Sequence, residues 1–298
     1  MKAKVNTTIS RLCRLFGVSR QSFYQFWAKQ DQLVSKQRIV LDLVRRIRKD
    51  HPVIGTRKLH LMISVELKRH EIRMGRDKLY DLLAVNGLLL RKRKRRVRTT
   101  FSNHRFRKYP NLIAGLILSK PNQVWVGDIT YWRVNGSFLY LFLITDAYSR
   151  KIVGYQVANN LKTVNNVAAL KTALQKVTGS FEGLIHHSDR GFQYCSNEYT
   201  DLLKSNRIRI SMTQSGDPLE NPIAERINGI VKNEYLVHFP TSNLATASEL
   251  LDKVIDRYNE ERPHNSCSNM VPGKVHDSKY PKLEKYKLST YPSIKQNV

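Results

Sequence analysis

The sequence predicts an α/β chain: a mixed five-stranded sheet with flanking helices, preceded by all-α helix-turn-helix-like units. Three observations lead there. Charge divides the chain, with 30 Lys and Arg against 7 Asp and Glu in residues 1–120, and 21 against 17 in residues 121–298. Texture changes at the same place, from helical spacing of apolar residues to β-branched and aromatic runs. Beyond residue 120 those runs alternate with helical segments in the order β-β-β-α-β-α-β-α.

The first element pair is read from "ISRLCRLFGVSRQSFYQFWAK". Leu12, Leu15 and Phe16 share one face of a short helix, Gly17 permits a turn, and Ser19 can cap a second helix through its hydroxyl. Arg20, Gln21 and Ser22 at the start of that second helix suit groove reading, and Phe23, Tyr24, Phe26 and Trp27 suit a core. The bland alternative is a generic helical hairpin. Residues 36–90 read as a second helical unit. Ile39, Leu43 and Ile47 recur at i, i+4 and i+8 before His51-Pro52, and the last helix closes at Asn86-Gly87. "RKRKRRVR", residues 91–98, cannot pack against itself and forms a solvated arm that would condense on phosphates. The expected division is therefore 1–35, 36–100 with the arm at 91–98, a linker at 101–118, a catalytic-type domain at 119–275 and a tail at 276–298.

In the second half, "QVWVGDITYWRV" and "SFLYLFLITDAY" are strands joined by Asn135-Gly136, a strong two-residue hairpin signal. "KIVGYQVA" is the third strand, Thr163 opens a helix, "GLIHHSD" is the fourth strand and "IRISMT" the fifth. A polar loop, "QSGDPLEN", leads to a long helix starting at Pro222, a favoured first helical position. Antiparallel strands extended by parallel ones through helices mark the ribonuclease-H-like arrangement.

Bulk properties narrow the function. The net charge of +27 calls for a polyanion, nucleic acid or an acidic membrane surface. No apolar run reaches the length of a membrane span, and the N-terminus is no signal peptide. Cys13, Cys195 and Cys267 are scattered and form no CxxC pair, which argues against a zinc site or disulfide framework and for a reducing cytoplasm.

The candidate chemistry lies in three carboxylates. Asp128 falls in the middle of the first strand, Asp189 at the end of the fourth, and Glu225 in the first turns of the helix after the fifth. Parallel neighbours would bring the two aspartates together. Converging carboxylates repel unless a cation holds them, and hard oxygen ligands suit Mg²⁺ or Mn²⁺, as a pair of ions in two-metal phosphoryl sites. Lys232, seven residues beyond Glu225, falls on the same helix face and can touch a phosphate; Ala224, Ile227 and Val231 form the stripe that packs on the sheet. Among rival acids, Asp146 reads as a turn partner for Ser149 or Arg150, Asp217 and Glu220 as helix caps, and Glu234 as pointing elsewhere. His186 and His187 read as strand residues rather than ligands.

"WVGDITY", "HHSDRGFQYCS", "SMTQSGDPLENPIAERINGIVKNE" and "YNEERPH" with Pro272 downstream together resemble bacterial insertion-sequence transposases with a retroviral-integrase-like core. The resemblance spans nearly the whole chain. It implies a metal-binding triad of Asp128, Asp189 and Glu225, two Mg²⁺ ions with Mn²⁺ as substitute, and strand cleavage followed by strand transfer. It also implies that the basic half recognises the terminal inverted repeats, with target DNA as the second partner; the expected contacts are Arg20, Gln21, the arm residues Arg91, Lys92, Arg93, Lys94, Arg95 and Arg96, and Lys232 of the catalytic-type domain. A homo-oligomer on paired ends, an upstream-frame helix-turn-helix protein, separate or fused, and a bacterial cytoplasmic, nucleoid-associated location follow from the same resemblance. The chain departs from the usual pattern at Glu220-Asn221, at Pro222 and at Ile54-Gly55-Thr56-Arg57. Two other readings compete: a DNA-binding regulator derived from a transposase but catalytically inactive, and a nuclease of the same fold without strand transfer.

Overall fold

The computed structural model describes residues 8–90, 105–177, 180–214, 221–277 and 286–287. It divides into two compact units, residues 1–49 with 55–91, and residues 50–54 with 92–298.

The first unit is helical: α1 (Ile9–Leu15), α2 (Arg20–Asp50, its last residue counted with the second unit), α3 (Thr56–Arg69) and α4 (Arg76–Val85). The Thr8 side chain caps α1, Gly17 turns the chain at φ 67°, and Ser19 Oγ accepts the Ser22 N–H at 3.0 Å. α2 is continuous for 31 residues, so the division expected at residue 35 falls inside one helix. The reason is local: "QDQLVSKQR" contains neither Gly nor Pro and is rich in straight-chain helix formers. The expected core role of the α2 aromatics is also revised. Tyr24, Phe26 and Trp27 are exposed, as are Leu15 and Phe16 at the end of the seven-residue α1, which buries only Cys13. Most buried residues of the unit lie further on, among them Val40, Leu43 and Val44, Leu59, Ile63 and Leu67, and Leu79 and Leu83.

The second unit is built on a five-stranded sheet in the order β4-β3-β2-β5-β6. β2 (Val124–Val134), β3 (Ser137–Asp146) and β4 (Ile152–Ala158) are antiparallel; β5 (Ile185–Ser188) and β6 (Arg209–Met212) add in parallel. The Asn135-Gly136 hairpin has φ of 46° and 83°, the left-handed pair that a tight two-residue turn demands. β1 (Ile117–Leu118) pairs with β7 (Tyr286–Lys287), so a strand pair joins stretches read from sequence as linker and tail.

Helices cover both sheet faces. On one, α5 (Thr163–Gln175) and α7 (Asn197–Ser205) enclose Trp125, Phe142 and Ile144 with Val167, Leu170, Tyr199 and Leu203; the short α6 (Phe192–Cys195) adds Tyr194. On the other, α8 (Pro222–Ile230) and α9 (Leu244–Glu260) enclose Val124, Val126 and Trp132 with Ala224, Ile227, Leu251 and Val254. The stripe expected at Ala224, Ile227 and Val231 is buried here. The long helix expected from Pro222 is regular for only nine residues; it passes into a π turn over Val231–Tyr235 and a 3-10 turn over Leu236–His238. The last helix is α10 (Pro272–His276). Among the described residues, no helix is long and apolar enough to cross a membrane.

Candidate active site

Strand register sets the level of the two aspartates. β2 and β5 run parallel with Val124 opposite Ile185, Trp125 opposite His186 and Val126 opposite His187. Asp128 and Asp189 each stand two residues past the last of these pairs, at the same height on adjoining chain segments. Both are half-buried. Asp189 Oδ1 accepts the Gly191 N–H at 2.9 Å, so the Asp-Gly turn chemistry is real and also fixes this carboxylate. A Cβ on Gly191 would lie 2.9 Å from that oxygen and would push the carboxylate aside.

Helix α8 is tied to the same stretch of β2 at two points. Asn221, its N-cap, donates from Nδ2 to the Gly127 carbonyl at 2.9 Å. Asn228 donates from Nδ2 to Asp128 Oδ2 at 2.7 Å. Asn221, Glu225 and Asn228 recur at i, i+4 and i+7, one face of the helix. Glu225, half-buried, lies between the two tethers. Sequence reasoning noted Asn221 only within the Glu220-Asn221 pair and did not single out Asn228; their shared signal is that helical recurrence with Glu225. Lys232, in the π turn, reaches the next residues of the strand, donating to Thr130 Oγ1 at 3.1 Å and to the Tyr131 carbonyl at 3.0 Å. Its ammonium sits 4.7 Å from the Tyr131 ring centre.

The rival groups have other occupations. Asp146 is fully buried; Oδ1 accepts from the Ser149 N–H and hydroxyl at 2.7 and 2.6 Å, and Oδ2 from the Asn122 N–H at 2.7 Å. It is the turn partner the sequence suggested. Glu234 Oε2 accepts two bonds from Arg262, at 2.7 and 3.0 Å. His186 Nε2 meets the Tyr199 hydroxyl at 2.9 Å, and His187 Nδ1 meets Ser211 Oγ at 2.9 Å. Burial, reinforced by His187, pushes His186 down to about 3, so it stays neutral. Burial likewise holds the Cys195 and Cys267 thiols up at about 11 and about 12, leaving no ready thiolate. Asp217 and Glu220 lie outside the described residues.

Of the expected DNA contacts, Arg20 and Gln21 are exposed in the first turn of α2, where Arg20 Nη1 approaches Ser10 Oγ at 3.5 Å. Arg91, Lys92, Arg93, Lys94, Arg95 and Arg96 lie outside the described residues.

Among the described residues, no three His, Cys, Asp or Glu side chains form a ready metal-ligating group. The donor chemistry around Asp128 nevertheless fits a hydrated hard cation. The carboxylates offer only oxygen, and two buried amide oxygens beside them, Asn221 Oδ1 and Asn228 Oδ1, have no hydrogen-bond partner among the described residues.

Known proteins place the chain. A family model described as an integrase core domain matches residues 119–218, and a second of the same description matches residues 206–272. The IS600 uncharacterized 31 kDa protein of Shigella sonnei is 33% identical over 266 residues, which are 88% of this chain and 96% of that one. The transposase for insertion sequence element IS629, also of Shigella sonnei, is 32% identical over 231 residues, 78% of this chain and 76% of its own. The chain belongs to the insertion-sequence transposases with an integrase core. A solved structure of the HTLV-2 integrase catalytic core domain in complex with magnesium is similar to 53% of this transposase and 97% of that chain, at 22% identity and a TM-score of 0.42. At that score the likeness supports no conclusion of its own. The ribonuclease-H-like description of this transposase rests on its strand order and pairing.

Proposed function

We propose that this DNA transposase cuts and joins DNA at a divalent-cation site formed by Asp128, Asp189 and Glu225. The supporting observation is the double tether of α8 to Gly127 and Asp128, with Glu225 between its two anchoring asparagines. Mg²⁺, with Mn²⁺ as substitute and two ions as the expected number, would be held by these three carboxylates and would supply charge neutralisation and an activated oxygen.

The reaction balances without a covalent enzyme intermediate. Water attacks a phosphodiester at the element's end, the P–O3′ bond breaks, and a 3′-hydroxyl and a 5′-phosphate remain. The freed 3′-hydroxyl attacks a second phosphodiester, forming one P–O bond as another breaks, so no energy source is needed. The protein's share is to hold the three carboxylates together and to orient the DNA. Lys232 takes a phosphate oxygen beside Thr130. Arg20, Gln21 and the arm from Arg91 to Arg96 grip the terminal repeats and target. An oligomer on paired ends, with an upstream-frame helix-turn-helix partner, completes the assembly.

The test is cleavage and joining of a labelled end-containing duplex in Mg²⁺. Asp128→Asn, Asp189→Asn and Glu225→Gln should each lower both steps at least about 100-fold, while end binding persists. Full activity in any one of them rejects that residue. Binding with no chemistry in the unmodified protein would leave a DNA-binding regulator instead.

A further inference from the structure

Tyr131 and Phe138 present two half-exposed rings beside the candidate site, and the reaction described above uses neither. They stand on the two strands of the β2–β3 hairpin. Tyr131 pairs with Tyr140 and Arg133 with Phe138, so the two rings are diagonal neighbours on one face. Their centres are 5.5 Å apart, edge to face, and the residues are 50% and 47% exposed. The exposed Arg133 shares that face. At the hairpin tip Asn135 donates from Nδ2 to the Ser242 carbonyl at 3.2 Å, so the rings ride on a tethered hairpin.

Strand alternation puts Asp128 and Thr130 on one face of β2 and Tyr131 on the other. The edge between those faces is open here, because the register pairs of β2 with β5 end at Val126 opposite His187. Lys232 crosses that edge. Its ammonium donates to Thr130 Oγ1 at 3.1 Å, on the face of Asp128, and to the Tyr131 carbonyl at 3.0 Å. The same ammonium lies 4.7 Å from the centre of the Tyr131 ring. Three strand residues separate Tyr131 from Asp128, about 10 Å, or about three steps of a DNA strand at 3.4 Å each. A ligand group on the ring is therefore a neighbour of a phosphate at Asp128, not that phosphate itself.

Cross-strand rings steady a hairpin without any ligand, but that task needs no cations around them. An exposed aromatic face between Lys232 and Arg133 matches both halves of a nucleotide: the ring takes a base and the cations take phosphates. We propose that Tyr131, backed edge-on by Phe138, is a stacking platform for an unpaired base of the DNA strand, a few nucleotides from the bond that is cut or joined. This rests on the reading of Asp128 as part of the site where DNA reacts. An opened element end and distorted target DNA offer the same base chemistry, and the experiment tells them apart.

The experiment measures affinity of the full chain, without divalent cation, for a branched duplex in which an element end is already joined to target DNA. Fluorescence anisotropy reads binding, and an abasic site is moved one position at a time through the end strand and then the target strand. Tyr131→Ala should weaken binding of the intact duplex about tenfold, within the range of one base–aromatic stack, and Tyr131→Trp should keep it. The log–log salt slope should not move, because a stacked ring releases no counterions. At one abasic position Tyr131→Ala should cost nothing further, and the strand holding that position names the source of the base. Equal losses at every abasic position overturn the proposal. So does unaltered affinity in Tyr131→Ala, with or without a fall in Tm, which would leave a hairpin contact only. A salt slope lowered by about 1 in Tyr131→Ala overturns it too, since the ring would then serve only to hold Lys232. Failure of the cation reading shows elsewhere, as strand cleavage that survives Asp128→Asn.

Discussion

Asn228 shows how one neutral amide can govern a charged site. Its Nδ2 holds Asp128 Oδ2 at 2.7 Å and so sets the direction in which the other oxygen faces. Asn228→Ala should reduce cleavage by about 10–100-fold with little change in thermal stability. Asn228→Asp should be worse, because it sets a like charge against Asp128. Cleavage kinetics on both variants decide this; unmodified rates for Asn228→Ala would show the tether to be incidental. The places of the aspartates on the first and fourth strands were legible in the sequence, since β-branched and aromatic runs are local signals. Asn221 and Asn228 were not, because an amide on a helix looks like any solvated polar residue until the strand beside it is known.

Among elements, the hairpin, the strand order and the Pro222 helix start follow from short-range chemistry and could be read in advance. What could not be read was where a helix fails to stop or ceases to be regular. α2 continues past residue 35 because nothing in its sequence breaks it, whereas α8 gives way to a π turn with no Gly or Pro among Val231–Tyr235 to announce it. The segment "YNEERPH" was recognisable as a motif but silent about its work, which is structural and long-range. Tyr258 donates to the Arg150 carbonyl at 2.9 Å, and Asn259 brackets Ile152 at the start of β4, accepting from its N–H at 2.9 Å and donating to its carbonyl at 3.0 Å. Glu261 accepts His51 Nε2 at 2.9 Å, while His51 Nδ1 meets the Tyr235 hydroxyl at 2.8 Å. Arg262, 1% exposed, clamps Glu234 of the π turn. Arg262→Ala should therefore destabilise the protein by about 3–5 kcal/mol, the usual cost of stripping one partner from a buried pair. Replacing both, as Arg262→Met with Glu234→Gln, should cost less than the single change. Urea midpoints would settle it, and a loss below about 1 kcal/mol for Arg262→Ala would mean that solvent already screens the pair.

At the scale of the whole molecule, the dominant property is charge asymmetry. The net charge of +27 is carried almost entirely by residues 1–120, whereas the residues after 120, which include the candidate site, are nearly balanced. That division suits DNA handling: carboxylates repel a polyanion, and the basic half supplies the attraction that holds it. Attraction of this kind is paid out as released counterions, so it must weaken with salt. Duplex affinity should fall by about 10³-fold or more between 50 and 200 mM salt, as expected for six or more phosphate contacts. Changing Arg91, Lys92, Arg93 and Lys94 to Gln removes four positive charges and should flatten the log–log salt slope by about 3–4. Asp128→Asn should leave that slope close to its original value, because a carboxylate neutralises no phosphate. Titrations by fluorescence anisotropy at several salt concentrations measure all three slopes. An unchanged slope in the four-fold Gln variant would mean that the arm does not neutralise phosphates, and the grip would then have to come from the helices of the first unit, with Arg20 in the first turn of α2 as the next residue to change.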